Sequence, residues 1–574
     1  MNLLKKNKNI IFLIGLITIQ LFVYFYNIDK TYQMYILGDE FGYWTNAAYM
    51  FGYNWSSVTS HNTYYSWGYS LLLVPLFYIS NWKIRYQVAL AINITLMIIA
   101  FCIQCYIERK LFEKINSKWI YFVNTIISVY STNIFYAKTT QSESFLYFIY
   151  VIVILLLFKV LTTQKKTYYM ILGIVSGFIV CVHMRSIGVL LAACITVCIY
   201  ILKKKEDIQK GLFFLFAFLG VLLILYIVKN MLINDLYQNN VTVAVNNVSG
   251  QVSKIRTIMS INGIWLFIRS IIGKIVYLQA ATFLLFGWGM VCIINHIYIN
   301  IKNSVYSERM YIYFFILFSI IFSVIISAIA TINRNEIFDI TIYGRYNEYL
   351  IGPIVGIGLL HLIEHKTSIK KIWIRYCIYA WLFLILCGIY LSDDFNSIKG
   401  GYLREANIAA ISQFCYNGQE YVYEGWFIVI LVKVVLISIV LSISLSNKKN
   451  IYTVISLIVV GNIWIINGHS ILNKQLIYRQ SYSSNSIIAN YITEQNIDEV
   501  AYYKNINYTY FDDLLPDTLQ FMCPNLVINY CNKIGQKRDV TYVLVRNGRD
   551  ILLDENKFRK VAQSDIFTLY KNIN

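Results

Sequence analysis

The sequence predicts an all-α polytopic membrane protein of about thirteen transmembrane helices that closes with a small C-terminal extracytoplasmic α/β domain. Three observations carry this. Apolar runs of roughly 20 residues, the length a helix needs to span hydrocarbon, recur almost to residue 466. Hydrophobic residues make up 58% of the 574, charged ones 14%, prolines number four and mean hydropathy is +0.55, far from a soluble enzyme or a disordered chain. Short basic clusters mark every second connection.

The runs are read at 10–26, 84–107, 118–136, 143–162, 168–182, 187–202, 211–228, 276–300, 310–332, 349–363, 373–391, 425–445 and 451–467. Continuous runs exclude a barrel, whose strands would alternate over short segments. The first run has no small-residue cleavage site and ends in Tyr24, Phe25, Tyr26 and Asn27, so it reads as an uncleaved helix. "HMRS" separates the short fifth and sixth runs, which leaves open one kinked segment there.

Lys5, Lys6 and Lys8 precede the first run, and "ERKLFEKINSK", "TQKK", "KKKEDIQK", "KNSVYSER", "EHKTSIKKIWIR" and "SNKKN" each follow an even-numbered one. The positive-inside rule puts these connections and the N-terminus in the cytoplasm of a multi-pass plasma-membrane protein. The formal charge of +19 therefore reflects topology rather than nucleic-acid binding. An odd number of crossings puts the C-terminus outside. The outer connections 27–83, 229–275, 333–348 and 392–424 are long and aromatic, which makes the outer surface the functional face. Most of the eleven cysteines lie within apolar runs; Cys415, Cys523 and Cys531 do not, and Cys523 with Cys531 is a candidate disulfide.

After residue 467 the pattern becomes that of a soluble unit, dividing a membrane domain, 1–467, from an outer one, 468–574. "SNSIIANYITEQN" reads as a helix with Ser484 or Asn485 near its N-cap, and "LLPDTLQFM" as one started by Pro516. "EVAYYK", "NLVINY", "DVTYVLVRN" and "DIFTLYK" read as strands.

Acidic and basic residues gather at the outer ends of the runs. Asp39 reads as the N-cap of a short helix starting at Glu40, with Phe41, Trp44, Ala48 and Phe51 on one face and Gly52 as its end. Glu143 stands at the outer end of the fourth run, His183 and Arg185 between the fifth and sixth, Arg345 and Glu348 at the start of the tenth. Each serves equally as an interfacial anchor. Together they suit group transfer from a lipid phosphate: arginine grips phosphate with a planar fork of donors, and a carboxylate takes the proton of an attacking hydroxyl.

These segments resemble those of the GT-C membrane glycosyltransferases, above all the bacterial protein-mannosyltransferase and aminoarabinose-transferase-like members. The acidic pair Asp39–Glu40 beyond the first helix, "YYSWGYSLLLVPLFYI", "QSESFLYFIYVIVILLLF", "LGIVSGFIVCVHMRSIGVLL" and "YGRYNEYLIGPIVGIGLL" carry the resemblance, which covers most of residues 10–467. It implies a GT-C-like fold, a polyprenyl-phosphate-sugar donor and an inverting, single-displacement transfer to an extracytoplasmic acceptor: a protein, lipid or wall polymer. By position Asp39 is the base, Glu40 its support and Glu143 the acidic residue after the third helix. Arg345 and Arg185 hold the donor phosphate, and Tyr43, His61 and Tyr346 contact substrate. Membrane lipids are the other expected partners. No metal ligand set is assigned; some relatives hold a divalent ion, for which His61 with Glu40 or Glu143 is the candidate set. The sequence departs from the pattern in keeping only Pro75 of the prolines usual in the second segment, and in His183-Met184-Arg185.

Two rivals remain from composition. A transporter or flippase of lipid-linked sugar would carry ionisable residues at mid-bilayer, where Lys433 is the exception here and Lys159 and Lys229 lie near run ends. A non-catalytic envelope assembly protein would need no outer acidic pair.

Overall fold

The computed structural model describes residues 2–59, 63–237, 248–365, 370–396, 408–411, 426–446, 450–503, 510–531, 541–548 and 556–573. Among these residues ten helices are long and apolar enough to cross a membrane, from Lys8–Lys30 near the N-terminus to the helix that begins at Asn450. A count of about thirteen is not confirmed among these residues, where the backbone breaks several apolar runs. The run 118–136 is two helices, Ser117–Ser128 and Ser131–Ala137. The run 349–363 gives only the 14-residue helix Ile351–Glu364. The run 276–300 is interrupted where Phe283 and Leu284 take left-handed φ values of 52° and 69°, which separates Ile261–Ala281 from Leu285–Lys302. "HMRS" does separate two helices, Lys166–Val182 and Ile187–Lys204.

The segment 229–275, expected as an outer connection, is largely helical: Ile208–Leu236 extends into it, and Val248–Met259 and Ile261–Ala281 follow. Its charges had hidden it, and they are satisfied inside the protein. Arg269 pairs with Asp394 through bonds of 2.9 and 2.5 Å, and buried Lys274 donates to Ser270 Oγ (2.7 Å), Ile340 O (2.8 Å) and Thr331 Oγ1 (3.2 Å). Glu108, near the C-terminal end of Trp82–Leu111, is likewise buried and accepts from Gln104 (3.0 Å) and Asn124 (2.6 Å).

Close helix approach fixes the segment that leads to Arg345. A Cβ on Gly289 would lie 2.1 Å from the Ile354 carbonyl, and Gly358 meets the same helix from the other side at 3.0 Å, so Leu285–Lys302 and Ile351–Glu364 touch backbone to backbone. The helix Trp82–Leu111 starts at Asn81, whose side chain accepts from the Lys83 and Ile84 amides at 3.0 and 3.2 Å.

Beyond the Asn450–Ser483 helix the chain forms Ser486–Glu494, preceded by Asn485, then β1 (Glu499–Tyr503), the helix Pro516–Met522, β2 (Val527–Cys531), β3 (Tyr542–Arg546), β4 (Phe558–Gln563) and β5 (Phe567–Asn572). The sheet order is β2-β1-β3-β5-β4, with β1 parallel to β2 and β3, and β5 antiparallel to β3 and β4. The four strands and two helices read from sequence are present. The short helix Tyr510–Leu514 was not read from sequence, and the strand missed is β4, an edge strand whose Arg559 and Lys560 are exposed; charge on an edge blocks further pairing and also hides the strand from a hydropathy reading. Cys523 and Cys531 are free thiols, so the candidate disulfide is absent. Cys415 lies outside the described residues.

Candidate active site

The helix that carries the acidic pair runs from Leu37 to Phe51, three residues earlier than expected at its start, and Gly52 ends it at φ 111°. Asp39 is therefore not its N-cap. The capping work falls to Glu40, which is fully buried. Its Oε1 accepts the Tyr35 and Ile36 amides (2.8 and 3.0 Å), and its Oε2 accepts the Tyr86 hydroxyl (2.6 Å), the Thr140 amide (2.8 Å) and the Thr140 hydroxyl (2.7 Å). Five donors on one carboxylate pin this helix to the Trp82–Leu111 helix and to the loop 138–142. Glu40 holds the site without facing it.

Asp39, one residue earlier, points the other way. Its Oδ1 accepts the Tyr65 hydroxyl at 2.5 Å, and its Oδ2 accepts Gln141 Nε2 at 3.3 Å and the Arg345 guanidinium. Gly42 makes this possible: a Cβ there would fall 2.0 Å from Tyr65 Cδ2, so only glycine lets the ring cross the helix to Asp39. Burial pushes the Asp39 carboxyl up, but the charge and hydrogen bond of Arg345, with the Tyr65 hydroxyl and Arg185, outweigh it and hold the carboxyl below its ordinary value.

Arg345 lies between two acids, its other edge donating to Glu143 Oε1. Both are buried, and burial, which disfavours the guanidinium charge, is outweighed by Glu143 and Asp39. Two acceptors beside this bridge, Glu143 Oε2 and Gln141 Oε1, are buried without a hydrogen-bond partner. Buried acceptors without donors suit the hydroxyls of a polar ligand.

On the far side of Arg345 the charge turns positive. Arg185 lies over the Tyr346 ring, 3.4 Å from its centroid; Arg334 lies over Tyr343 at 4.1 Å and donates to the Tyr346 hydroxyl at 2.8 Å. Lys254, buried, is pulled below its ordinary pKa by burial and by Arg185 and Arg334. Tyr346 is lowered despite burial, because Arg185, Arg334 and Arg345 surround it. Among the described residues none of Arg185, Lys254 and Arg334 forms an ion pair. His183 is held far below its usual value by burial, Arg185 and Arg345, so it is neutral and accepts the Arg185 amide at 3.3 Å. Asp39 lies within electrostatic reach of Arg185 and Asp339 of Arg334, yet three cations against these acids leave an excess of positive charge that suits an anion.

No family model matches this chain, and neither does any curated protein. Two solved structures of ArnT from Cupriavidus metallidurans resemble it. The one bound to undecaprenyl phosphate is 13% identical, with 98% of this chain and 98% of that chain covered; the apo form is 12% identical, with 98% and 97% covered; the TM-score is 0.49 for both. At this distance the likeness transfers no residue role.

The structure thus brings Asp39, Glu143, Arg345, Arg185 and Tyr346 into one region. It sets Glu40 behind them and ties the Tyr43 hydroxyl to Ser142 Oγ at 2.8 Å. His61 lies outside the described residues. Glu348 accepts from Tyr277 and from Tyr136 (3.3 Å), and burial raises it to about 8. Among the described residues the one group with metal-ligand spacing, His361, Glu364 and His365, ends the helix that Arg345 leads into, away from Asp39. Sequence reading missed Tyr65, Gln141, Lys254 and Arg334. Gly42 in front of an aromatic "YYSW" was the available sign for Tyr65; Lys254 and Arg334 had none, being single cations in segments read as connections.

Proposed function

We propose that the chain is a membrane glycosyltransferase that moves a sugar from a polyprenyl-phosphate-linked donor to an acceptor hydroxyl on the extracytoplasmic side, by inverting single displacement. The observation that carries this is a half-buried carboxylate, Asp39, one arginine away from three cations, Arg185, Lys254 and Arg334, that form no ion pair among the described residues. The proton of the acceptor hydroxyl passes to Asp39 as its oxygen bonds to the sugar carbon. The bond from that carbon to the phosphate oxygen breaks with inversion. The leaving phosphate gains one negative charge, which Arg185, Lys254 and Arg334 stabilise as it develops. Glu143 Oε2 and Gln141 Oε1 take sugar hydroxyls. Residues 1–467 form the membrane domain in this reading, and 468–574 an outer unit.

Arg185 and Arg345 are the phosphate ligands expected from the family resemblance, and the grouping of Arg334 and Lys254 beside Arg185 supports adding those two. Arg185→Ala or Arg334→Ala is expected to raise donor KM by about 10- to 100-fold, the worth of one charge-assisted bond to phosphate. An unchanged donor KM in both variants, measured by steady-state transfer, rejects the phosphate site.

The pH profile follows from the direction of the Asp39 shift. Asp39 must be ionised to act, and its carboxyl is held low, so kcat/KM stays level through neutral pH and falls only below about pH 4, the ordinary carboxylate range. Arg345→Ala removes the largest lowering influence and leaves burial, which moves this acid limb upward. Gly42→Ala, which displaces Tyr65, is expected to lower kcat about tenfold with donor KM kept.

A further inference from the structure

The outer unit meets the helix of Asp39 through Pro516–Met522. Every residue of Pro516–Met522 is buried, and Phe521, fully so, packs against Trp44 with ring centroids 4.8 Å apart and against Tyr86 at 6.3 Å. Arg85, buried with no carboxylate, donates to the Phe521 carbonyl at 3.0 Å and to the carbonyls of Ile79 (3.0 Å) and Ser80 (3.3 Å). Its guanidinium also lies 5.0 Å over Phe77 and 5.5 Å over Phe521. Three residues after Phe521, the Pro524 carbonyl accepts Trp55 Nε1 at 2.9 Å, and Trp55 stacks on Phe41 at 5.3 Å. A buried arginine spent on three carbonyls is a costly way to join two units, and it is placed where the chain turns back against this helix.

From Phe521 the contacts run to the site without a gap. Trp44 Nε1 donates to Thr140 Oγ1 at 3.0 Å, Thr140 donates to Glu40, and Gln141, the next residue, donates to Asp39. Trp44 and Glu40 are four residues apart on one helix face.

We propose that the C-terminal unit is a positioning element for Asp39, acting through Phe521 and Pro524 on Trp44, Phe41 and the loop 138–142. It does not bind the donor phosphate. This rests on the glycosyltransferase reading only for its kinetic consequence; the mechanical coupling stands apart from it. Phe521 and Trp55 are positioning residues, since neither touches the reacting atoms.

The test uses the full-length protein in detergent and compares wild type with Phe521→Ala and Phe521→Leu. Phe521→Ala keeps the carbonyl that Arg85 holds and deletes only the ring. Amide hydrogen exchange over residues 37–51 should rise in Phe521→Ala and return toward wild type in Phe521→Leu. Where sugar transfer is measurable, kcat should fall about 10- to 100-fold with donor KM unchanged, and Leu should restore most of it. Trp55→Phe, which removes the bond to Pro524 and one ring of the indole while keeping an aromatic on Phe41, should show a smaller rise, and it serves if Phe521→Ala does not fold. Exchange over 37–51 that stays at the wild-type level while exchange over 516–522 rises overturns the coupling, whether or not the chain transfers sugar. Raised exchange without turnover of any donor supports the coupling and rejects the glycosyltransferase reading alone.

Discussion

Asp39→Asn is expected to lower kcat by about 10²- to 10⁴-fold while donor KM stays near wild type. The asparagine matches the carboxylate in shape and can still accept the Tyr65 hydroxyl through its carbonyl, so the helix and its neighbours need not move. It cannot take a proton from the acceptor. Arg345 keeps Glu143 as a partner, which leaves the bridge half intact rather than stranding a buried cation. In the proposed reaction the donor phosphate is held by Arg185, Arg334 and Lys254, none of which bonds Asp39, so ground-state binding should survive. Steady-state kinetics with the two proteins separate the cases. A large rise in donor KM with kcat kept would make Asp39 a binding residue instead.

The neighbouring acid should behave in the opposite way. Glu40→Gln is expected to destabilise the fold by about 3–5 kcal/mol, the cost of breaking a buried charge out of its partners. All five of its bonds are donated to it, three by main-chain amides that cannot turn away. Glutamine has one acceptor oxygen, so its amide must face either the Tyr35 and Ile36 amides or the two donors of Thr140 and the Tyr86 hydroxyl, and one set of donors is left unpaired. Thermal unfolding in detergent should drop sharply for Glu40→Gln and barely for Asp39→Asn. Equal melting of the two variants would contradict the division of labour between adjacent acids.

That division was only half legible in the sequence. Asp39 and Glu40 stand out as an acidic pair beside an apolar run, but which of them caps the helix depends on where it starts, and a shift of three residues moved that duty: Glu40 satisfies the helix end and Asp39 is free of it. Arg345 and Glu143 were legible as charges at run ends, and their pairing across 202 positions was not, because nothing local to either encodes it. Lys254 was hidden for a similar reason. It lies on Val248–Met259, in a stretch whose polar residues mask a helix, and Lys274 and Arg269 on the following helix mask that one too. Hydropathy counts charges as solvent-facing, and here Ser270, Thr331, Ile340 and Asp394 satisfy them internally. The C-terminal strands with alternating apolar residues were readable, whereas β4, an edge strand with Arg559 and Lys560 exposed, was not.

The most direct measurement is turnover of radiolabelled polyprenyl-phosphate-sugars, presented singly to the purified, detergent-solubilised protein and to its Asp39→Asn variant. Transfer or slow hydrolysis of at least one donor by the wild type, lost in the variant, is the predicted result. No turnover of any donor, with lipid-linked sugar crossing reconstituted vesicles at the same rate in both proteins, would contradict it and make this chain a transporter.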